Sequence, residues 1–356
     1  MTNLILTPAQ TREFRTNLLT WFGIQKRDLP WRRTRDPYAI WVSEIMLQQT
    51  RVAAVLDHYA HWMARFPTVE ALAAAPEDEV LAAWSGLGYY RRARFLHKGA
   101  KVVVTEYNGN LPQTAAALRK LPGIGSYTSA AIASIAFGEA AAVVDGNVER
   151  VLLRQAGCCE TGAGQLNSAQ PTLNAAEIQS LATQLIETTR PGDFNQAVME
   201  LGATVCLPKN PLCLQCPVQE TCRTRGEHLT AQRPPAIAAD VSFALLQRKR
   251  NGKTELLLEQ RPPAATVMPG MWELPRLDES TSSEKPILAL RHAIMQTNYR
   301  VSVLEIPSIG GLPMSTNRRW IPLTELSTLP LTGLAKKILL RLGLLARSSV
   351  IRVPVE

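Results

Sequence analysis

The chain has 356 residues, which is too long for one domain of ordinary size and suits two domains that each bury a core. Its net charge of +9 favours a polyanionic partner such as nucleic acid, although a solvated basic surface would give the same charge. The N-terminus has no basic stretch followed by an apolar one, and Gly138 and Glu139 interrupt the most apolar segment, 129–144. Neither export nor membrane insertion is therefore indicated.

The first two-thirds of the chain is predicted to be helical. From Thr11 to about Arg225, apolar residues recur in helical segments of ordinary length, and strand signals are nearly absent. Helix-breaking residues separate the predicted helices; they are Pro30, Pro67, Pro76, Gly86, Pro112, Pro122 and Pro191. This pattern predicts an all-α first domain.

An acidic residue of this region stands in an apolar setting. Glu44 shares a predicted helical face with Ile40 and Leu47 and follows Trp41 by one helical turn. These neighbours make an ionised carboxylate costly and favour its protonated form, so Glu44 is a candidate proton donor. A partly exposed or ion-paired Glu would fit the same pattern.

Two motifs that contain glycine follow. Residues 121–130, LPGIGSYTSA, place Gly123 and Gly125 in a tight turn before an Ala-rich helix, where exposed N–H groups can bind an anion. Downstream, Asp145 in the segment VDGNV precedes another helical run. Taken alone, the first motif is also typical of a generic helix start, and Asp145 of an N-cap.

Cysteines end the helical region with gaps of six, two and five residues; they are Cys206, Cys213, Cys216 and Cys222. Without a secretory signal, this spacing favours thiolate ligation of zinc or of an iron-sulfur cluster over two disulfides. Spacing alone does not separate the two metals. Cys158 and Cys159 are predicted to be small buried side chains, because adjacent cysteines rarely form a disulfide.

The composition changes after the last cysteine. Residues 226–240 are polar and contain a proline pair, which predicts an interdomain linker. Beyond it, strands are predicted over 241–249, 254–260 and 299–306, the first two joined by Asn251-Gly252, and helices over about 284–295 and 331–345. We therefore expect an all-α domain at 1–225, the linker at 226–240, an α+β domain at 241–346 and a tail at 347–356.

The helical region resembles a known family of enzymes. The LPGIG turn, the VDGNV segment and the cysteine quartet resemble the iron-sulfur branch of the helix-hairpin-helix DNA glycosylases. Within this branch, the segments LPWR (29–32), WVSEIMLQQT (41–50), GLGYYRRAR (86–94) and MELGATVC (199–206) resemble the MutY-type adenine DNA glycosylases. The resemblance covers essentially the whole first domain. It implies a [4Fe-4S] cluster on the four cysteines and excision of adenine paired with 8-oxoguanine or G in base excision repair.

In this family the chemistry uses two carboxyl groups in different protonation states. The resemblance implies that Glu44 protonates adenine at N7, while Asp145 supports the oxocarbenium-like sugar or acts as nucleophile. Tyr127 and Asn147 would orient these groups. Bifunctional members such as endonuclease III carry a Lys at position 127, whose amine forms an imine with the sugar. Tyr127 cannot form this imine, so a monofunctional hydrolase is predicted.

The resemblance also implies contacts with the rest of the DNA. Arg32 and Glu200 would line the pocket of the flipped adenine, although a surface Arg and an exposed Glu would fit the sequence equally. The side chains expected at the base stack are Leu47, Gln49 and Tyr89. The groups expected at backbone phosphates are Gly123, Gly125, Arg91 with its basic neighbours Arg92, Arg94 and Lys98, and Lys209.

The second domain resembles the family less closely. Residues 269–275, PGMWELP, resemble its C-terminal Nudix-like domain, but the acidic metal-binding box of Nudix hydrolases is missing, so no pyrophosphatase activity is predicted. In the family this domain reads 8-oxoguanine through a Phe-Ser-His run, where this chain has Ile294-Met295-Gln296. Met295 cannot replace the Ser contact with the purine. Lesion recognition is therefore expected to be weaker, rearranged or carried more by the first domain.

The expected partner is double-stranded DNA with A:8-oxoguanine or A:G mispairs. We expect a monomer without membrane contact that is cytoplasmic, or nucleoid-associated in a bacterium. The alternatives are a mismatch or pyrimidine glycosylase of the endonuclease III type, a general A:G glycosylase with weak 8-oxoguanine reading, and a damage-binding protein without catalysis. Tyr127 argues against a lyase, and the presence of Glu44 and Asp145 argues against lost catalysis.

Overall fold

The computed structural model of the chain describes residues 6–160, 172–228, 235–277, 285–294, 296–312 and 315–346. Contacts divide the chain into two compact units, each built from two stretches. The first comprises Met1–Gln48 and Val102–Arg233, and the second comprises Gln49–Lys101 and Pro234–Glu356. Part of the expected linker and the whole expected tail lie outside the described residues.

Helices dominate the chain up to residue 204. Their bounds are α1 (Pro8–Gln25), α2 (Pro37–Leu47), α3 (Val52–Arg65), α4 (Val69–Ala74), α5 (Glu77–Trp84), α6 (Arg91–Tyr107), α7 (Ala115–Leu118), α8 (Ser126–Phe137), α9 (Gly146–Ala156), α10 (Ala175–Leu185) and α11 (Pro191–Thr204). Proline opens α1, α2 and α11, where a missing N–H costs no helical hydrogen bond. The predicted helical character is confirmed. A short parallel pair, β1 (Cys159–Glu160) and β2 (Thr172–Leu173), interrupts it.

Close helix contacts in the first unit position the site residues. A Cβ atom on Gly192 of α11 would lie 2.6 Å from the carbonyl oxygen of Ser134 in α8. A Cβ atom on Gly202, further along α11, would lie 2.7 Å from the Cβ of Asn147 in α9. A larger residue at either position would therefore force the helices apart. Around this contact, α1, α9, α10 and α11 share an apolar core that includes Phe14.

The helices of the second unit are joined to its C-terminal stretch by hydrogen bonds. The hydroxyls of Ser85 and Tyr90 donate to the carbonyl oxygen of Leu331, at 3.1 and 2.9 Å. Lys336 Nζ donates to the carbonyl oxygen of Ser85 at 2.8 Å. This lysine is half-buried, and burial lowers its pKa. Because Ser85 caps the C-terminal end of α5, the cation lies where the helix dipole favours positive charge.

The C-terminal stretch of the second unit is a mixture of strands and helix. Its elements are β3 (Ile237–Leu245), β4 (Gln247–Arg250), β5 (Lys253–Gln260), β6 (Trp272–Glu273), β7 (Arg276–Leu277), β8 (Leu288–Ile294), β9 (Thr297–Glu305), β10 (Arg318–Pro322) and α12 (Gly333–Arg341). In the part of this stretch that the structure describes, one sheet has the order β7-β3-β9-β8, and another has β10-β5-β4 with β6 on β5. β3 and β9 are parallel. The sheets and α12 enclose a core that includes Phe243, Leu256 and Ile338. The predicted combination of helices and strands is confirmed.

The helix predicted over 284–295 is wrong, because β8 lies there. Leu288 and Leu290 pack against the core, whereas Ala289 and Arg291 are exposed, so burial alternates with the period of a strand. Antiparallel pairing with β9 over Leu288–Ile294 outweighs the helix propensity of Leu, Ala and Arg.

The strand predicted over 241–249 is divided at Leu246. Its halves become β3 and β4, which belong to different sheets. The turn Asn251-Gly252 joins β4 and β5 as predicted, with φ angles of 49° and 75°. Positive φ at both turn residues suits the right-handed twist of the hairpin. Among the described helices, none is long and apolar enough to cross a membrane.

Candidate functional site

A buried carboxyl group meets a phenol in the first unit. Residues 38–46 of α2 are buried on every side of the helix, and Glu44 is 5% exposed. Tyr127, in the first turn of α8, donates its hydroxyl proton to Glu44 Oε2 at 2.7 Å. Met199 Sδ lies 3.4 Å from the same hydroxyl oxygen. The residues expected to act as acid and as orienting group are thus in direct contact.

Burial raises the pKa of Glu44 from 4.5 to about 7. The hydrogen bond from Tyr127 and the charge of Arg32 lower this pKa, and the carboxylate of Asp145 raises it, but loss of solvation has the largest effect. The preference for the protonated form agrees with the sequence expectation. Burial and the two carboxylates also raise the pKa of Tyr127 well above 10, so the phenol remains a hydrogen-bond donor.

Asp145 caps helix α9. Its Oδ1 accepts from the backbone N–H groups of Asn147 at 2.9 Å and Val148 at 2.7 Å, and its Oδ2 accepts from Asn147 Nδ2 at 3.1 Å. The carboxylate therefore lies at the positive end of the helix with a fixed orientation. Besides capping the helix, Asp145 is near enough to Glu44 for its charge to raise the pKa of that residue.

Arg150 connects this cap to the cysteine loop, a link that the sequence analysis missed. Its Nη2 donates to Asn147 Oδ1 at 3.0 Å and to the carbonyl oxygen of Gly202 at 2.6 Å. Its Nε donates to the carbonyl oxygen of Cys206 at 2.8 Å. Side chains three residues apart on a helix are neighbours, so the spacing of Asn147 and Arg150 could have predicted their contact.

Glu200 is buried between two arginines. Arg27 donates to both of its carboxylate oxygens at 2.7 Å, and Arg32 Nη2 donates to Oε2 at 2.8 Å. Burial alone would raise the pKa of Glu200, but the hydrogen bonds from Arg27 and Arg32 lower it to about 2. The Arg32 guanidinium also lies 5.4 Å from the centre of the Phe22 ring. Arg32 and Glu200 are thus brought together as expected, whereas Arg27 was missed.

The glycine turn precedes α8 as expected. Gly123 has a φ angle of 78°, and Gly125 is the N-cap of α8 without a side-chain cap. Both residues are exposed, and a Cβ on Gly125 would meet nothing within 4 Å. The backbone N–H groups at the start of α8 therefore have open space beside them.

The second unit carries the residues expected to enter the base stack and one expected at a phosphate. Gln49 and Tyr89 are exposed and have left-handed backbone, with φ angles of 55° and 49°. Arg91 is exposed, and its guanidinium lies 5.0 Å from the centre of the Phe95 ring. Arg92 and Arg94 differ from the expectation for the basic run, because both are half-buried and bind protein oxygens. In the first unit, Leu47 ends α2 and is half-buried.

The cysteine quartet follows α11. All four side chains line a cavity together with Arg154. Arg154 Nη1 lies 3.3 Å from Cys206 Sγ, and the backbone N–H of Arg225 donates to Cys222 Sγ at 3.5 Å. Such donors suit thiolate sulfur, so the residues fit a cluster ligated by Cys. No three His, Cys, Asp or Glu side chains in the described part of the chain are arranged to hold a single metal ion, so the fit to a cluster rests on the cavity that the four cysteines share and on these two donors.

The other two cysteines and the basic residue of the loop differ in burial. Cys158 and Cys159 are buried, as predicted. Lys209, between the first two cysteines of the quartet, is exposed.

The segment expected to read the lesion lies at the turn between β8 and β9. Ile294 pairs with Thr297 across this turn, and the backbone carbonyl of Gln296 accepts from Ile237 N at 2.8 Å. Met295 lies outside the described residues. His292, two residues before Ile294, is half-buried, and burial lowers its pKa.

Comparison with known proteins identifies relatives of both parts of the chain. Residues 42–168 match the model of the HhH-GPD superfamily of base excision DNA repair proteins. The adenine DNA glycosylase of Homo sapiens is 52% identical over 226 residues, which cover 61% of this chain and 40% of that protein. The adenine DNA glycosylase of Mus musculus is 52% identical over 358 residues, which cover 85% of this chain and 68% of that protein.

A solved structure is also similar. A thermostable thymine-DNA glycosylase matches with a TM-score of 0.53 and 32% identity, covering 61% of this chain and 97% of that one. The match supports the helical glycosylase fold of the first part of the chain.

Proposed function

We infer from the membership of this chain in the adenine DNA glycosylase family that it removes adenine from duplex DNA. The adenine removed is paired with 8-oxoguanine or G. The observation that carries the proposal is the pair of carboxyl groups with different surroundings. Glu44 is buried and has a pKa of about 7, whereas Asp145 is held by N–H groups at the start of α9. Hydrolysis of an N-glycosidic bond needs one carboxyl group as acid and another as carboxylate.

Glu44 acts as the general acid in this proposal. Adenine leaves poorly as an anion, so protonation at N7 by Glu44 lowers the barrier to bond cleavage. The hydrogen bond from Tyr127 fixes the orientation of the carboxyl group. After the base has left, the carboxylate of Glu44 positions the attacking water and accepts its proton. Because Tyr127 has no amine, the proposed enzyme is a monofunctional hydrolase without an imine intermediate.

Asp145 stabilises the positive charge that develops on the sugar, or acts as the nucleophile. Asn147 and Arg150 hold it in place through the hydrogen bonds described above. Asp145 therefore stays aligned while the glycosidic bond lengthens.

The ion-paired group of Arg27, Arg32 and Glu200 forms part of the adenine pocket in this proposal. Both oxygens of Glu200 are occupied by arginine N–H groups. Arg32 is therefore the member proposed to face the flipped base, and Glu200 and Arg27 keep its guanidinium in position.

Duplex DNA is held by phosphate contacts and by insertion into the stack. We assign phosphate contacts to the N–H groups at Gly123 and Gly125 and to Arg91 and Lys209. The residues assigned to the gap left by the flipped adenine are Leu47, Gln49 and Tyr89.

The cofactor proposed for Cys206, Cys213, Cys216 and Cys222 is a [4Fe-4S] cluster. Such a cluster would join the four thiolates and so order residues 206–222, which include Lys209. Iron and sulfide content and visible absorbance of the purified protein test this assignment. We expect Cys216→Ser to lose them and Cys158→Ser to keep them. A colourless wild-type protein that contains zinc would contradict the assignment.

The second domain, proposed to be Nudix-like over 241–346, is assigned to the base opposite the adenine. Ile294 and Gln296 at the turn between β8 and β9 would contact this base, Gln296 through its amide. The loss of the family's Ser and His predicts a reduced preference for 8-oxoguanine over G.

The experiment that tests the function is single-turnover release of adenine from duplexes with A opposite 8-oxoguanine, G or T. We expect release opposite 8-oxoguanine and G, without strand cleavage, and a loss of at least a hundredfold in Glu44→Gln. Glu70→Gln, at an exposed position of α4, is the matched control. Unchanged release by Glu44→Gln would contradict the acid assignment. A further duplex with T opposite G is included, and release of thymine from it with no adenine release would favour the activity named for the thymine-DNA glycosylase relative.

A further inference from the structure

Arg92 has an unusual place for an arginine in a basic run. It stands in the first turn of α6, between the exposed Arg91 and buried Ala93, and burial lowers its pKa to about 10. Its Nη2 lies 3.2 Å from Thr50 Oγ1 and from the carbonyl oxygens of Leu87 and Gly88. The guanidinium is therefore directed into the second unit and keeps its charge there, because an arginine with this pKa is still protonated at neutral pH.

The contacts of Arg92 join two turns that are far apart in sequence. One turn contains Gln49 and Thr50, and the other runs through Leu87 and Gly88 to Tyr89. The guanidinium carbon also lies 5.2 Å from the ring centre of Trp84 and 5.6 Å from that of Tyr89. Arg92 thus contacts a chain neighbour of each exposed residue that was assigned to the base stack, Thr50 beside Gln49 and Gly88 beside Tyr89.

Both of these exposed residues have a backbone conformation that side chains disfavour. Gln49 and Tyr89 have φ angles of 55° and 49°, in the left-handed region. An isolated turn would relax from this conformation, so the surrounding structure has to impose it. Arg92 binds Gly88 directly before Tyr89 and Thr50 directly after Gln49, and Trp84 Nε1 donates to the same Gly88 carbonyl at 3.0 Å.

We infer that Arg92 is a positioning residue that holds the Gln49 and Tyr89 turns in the shape needed to enter the DNA base stack. The inference rests on the proposed function for the identity of the DNA-inserting residues. Arg92 acts through these two side chains rather than on a phosphate. Its planar group has several donors and two faces for aromatic rings, whereas a lysine ammonium is a point charge without such faces.

The role differs from that of its neighbours. Arg91 and Lys98 are exposed and suit phosphate contacts. Arg94 is half-buried like Arg92, but it donates to Glu77 and to the carbonyl oxygen of Pro269. Arg94→Lys is therefore a matched control, since it makes the same change on the same helix away from the turns.

The test measures DNA distortion without chemistry. All variants carry Glu44→Gln, and the duplex has 2-aminopurine beside the adenine that is opposite 8-oxoguanine, so that unstacking raises fluorescence. We expect Arg92→Lys to lower the fluorescence change at saturating protein at least fivefold and Arg94→Lys to change it less than twofold. In a background with Gln49→Ala and Tyr89→Ala, Arg92→Lys should have no further effect, because the residues through which it acts are gone.

Two results would overturn the inference. One is a fluorescence change in Arg92→Lys that stays within twofold of Arg94→Lys. The other is an equal loss from Arg92→Lys with and without the two alanine substitutions, which would mean that Arg92 acts elsewhere. The readout also separates this inference from the proposed function, since a wild-type chain that distorts DNA but releases no adenine would contradict only the latter.

Thr50→Val gives a second variant in case Arg92→Lys does not fold. It removes the Oγ1 acceptor of Arg92 at nearly constant volume. We expect Thr50→Val to make the fluorescence change two- to fivefold smaller. In the background with Gln49→Ala and Tyr89→Ala, Thr50→Val should have no effect. A difference that persists in this background would count against the inference.

Discussion

Glu44 lies in the apolar helix α2, 5% exposed, with a hydrogen bond from Tyr127 and the charge of Asp145 nearby. Burial, together with the charge of Asp145, makes ionisation costly and raises the pKa of Glu44 from 4.5 to about 7, although the hydrogen bond from Tyr127 acts in the opposite direction. The same shift that suits a general acid also affects stability. Between pH 4.5 and about pH 7, Glu44 is protonated mainly in the folded chain and ionised mainly in the unfolded chain.

The free energy of unfolding should therefore fall as pH rises from 4.5 to about 7 and level off above it. At about 1.4 kcal/mol per pKa unit, the rise from 4.5 to about 7 corresponds to about 3 kcal/mol, present below pH 4.5 and lost above pH 7. Glu44→Gln cannot ionise, so we expect it to be more stable than the wild type at pH 8 by up to about 3 kcal/mol, and closer to it at pH 5. Urea unfolding at both pH values measures this. Parallel pH dependence of the two proteins would contradict it.

The contact between α9 and α11 helps to determine where Asp145, one of the two proposed catalytic groups, lies. Gly202 lets α11 approach Asn147, and Arg150 bridges Asn147 to the carbonyl oxygens of Gly202 and Cys206. Asn147 in turn binds the carboxylate of Asp145. A displacement of α11 would therefore affect both the carboxylate of Asp145 and the cysteine loop.

Gly202→Ala should disturb this contact. The new Cβ would lie 2.7 Å from Asn147 Cβ, so we expect a loss of about 1–3 kcal/mol in stability and at least a tenfold slower adenine release. Gly23→Ala in α1 is the control, because a Cβ there meets nothing within 4 Å and should be neutral or stabilising by about 1 kcal/mol. Urea unfolding and single-turnover release measure both effects. Equal behaviour of the two variants would contradict the role of the contact.

The net charge of +9 belongs to the whole molecule, and its proposed partner is a polyanion. Part of this charge is used internally, since Arg27, Arg32, Arg92, Arg94 and Arg150 all bind protein oxygens. The exposed residues Arg91 and Lys209 remain available for phosphates. Fewer cationic side chains are therefore exposed for direct phosphate contacts than the composition suggests.

DNA affinity should fall as salt concentration rises. Lys209→Gln is expected to reduce the slope of log affinity against log salt by about 1, equally for matched and mispaired duplexes, because one phosphate contact is lost. Lys253→Gln, at an exposed position of β5, is the control and should leave the slope unchanged. Fluorescence anisotropy at a series of salt concentrations measures the slope. A loss confined to mispaired DNA would contradict a phosphate contact.

Local patterns in the sequence were enough to predict several features of the structure. Helix boundaries follow prolines and caps, and the turn at Asn251-Gly252 joins two strands, because these residues restrict the backbone by themselves. The buried setting of Glu44 followed from its apolar helical neighbours. The family resemblance assigned site residues that composition and period alone could not have assigned.

Tertiary structure decided the features that depend on distant partners. Glu200 meets Arg27 across 173 residues, and Arg92 reaches Thr50 across 42, so neither contact has a local signature. β8 is a strand because β9 lies beside it, despite residues that favour a helix. The sequence by itself thus determined the order and local shape of most elements and the types of reactive groups. Packing determined their protonation and orientation, because burial and hydrogen bonding act between segments that only the fold brings together.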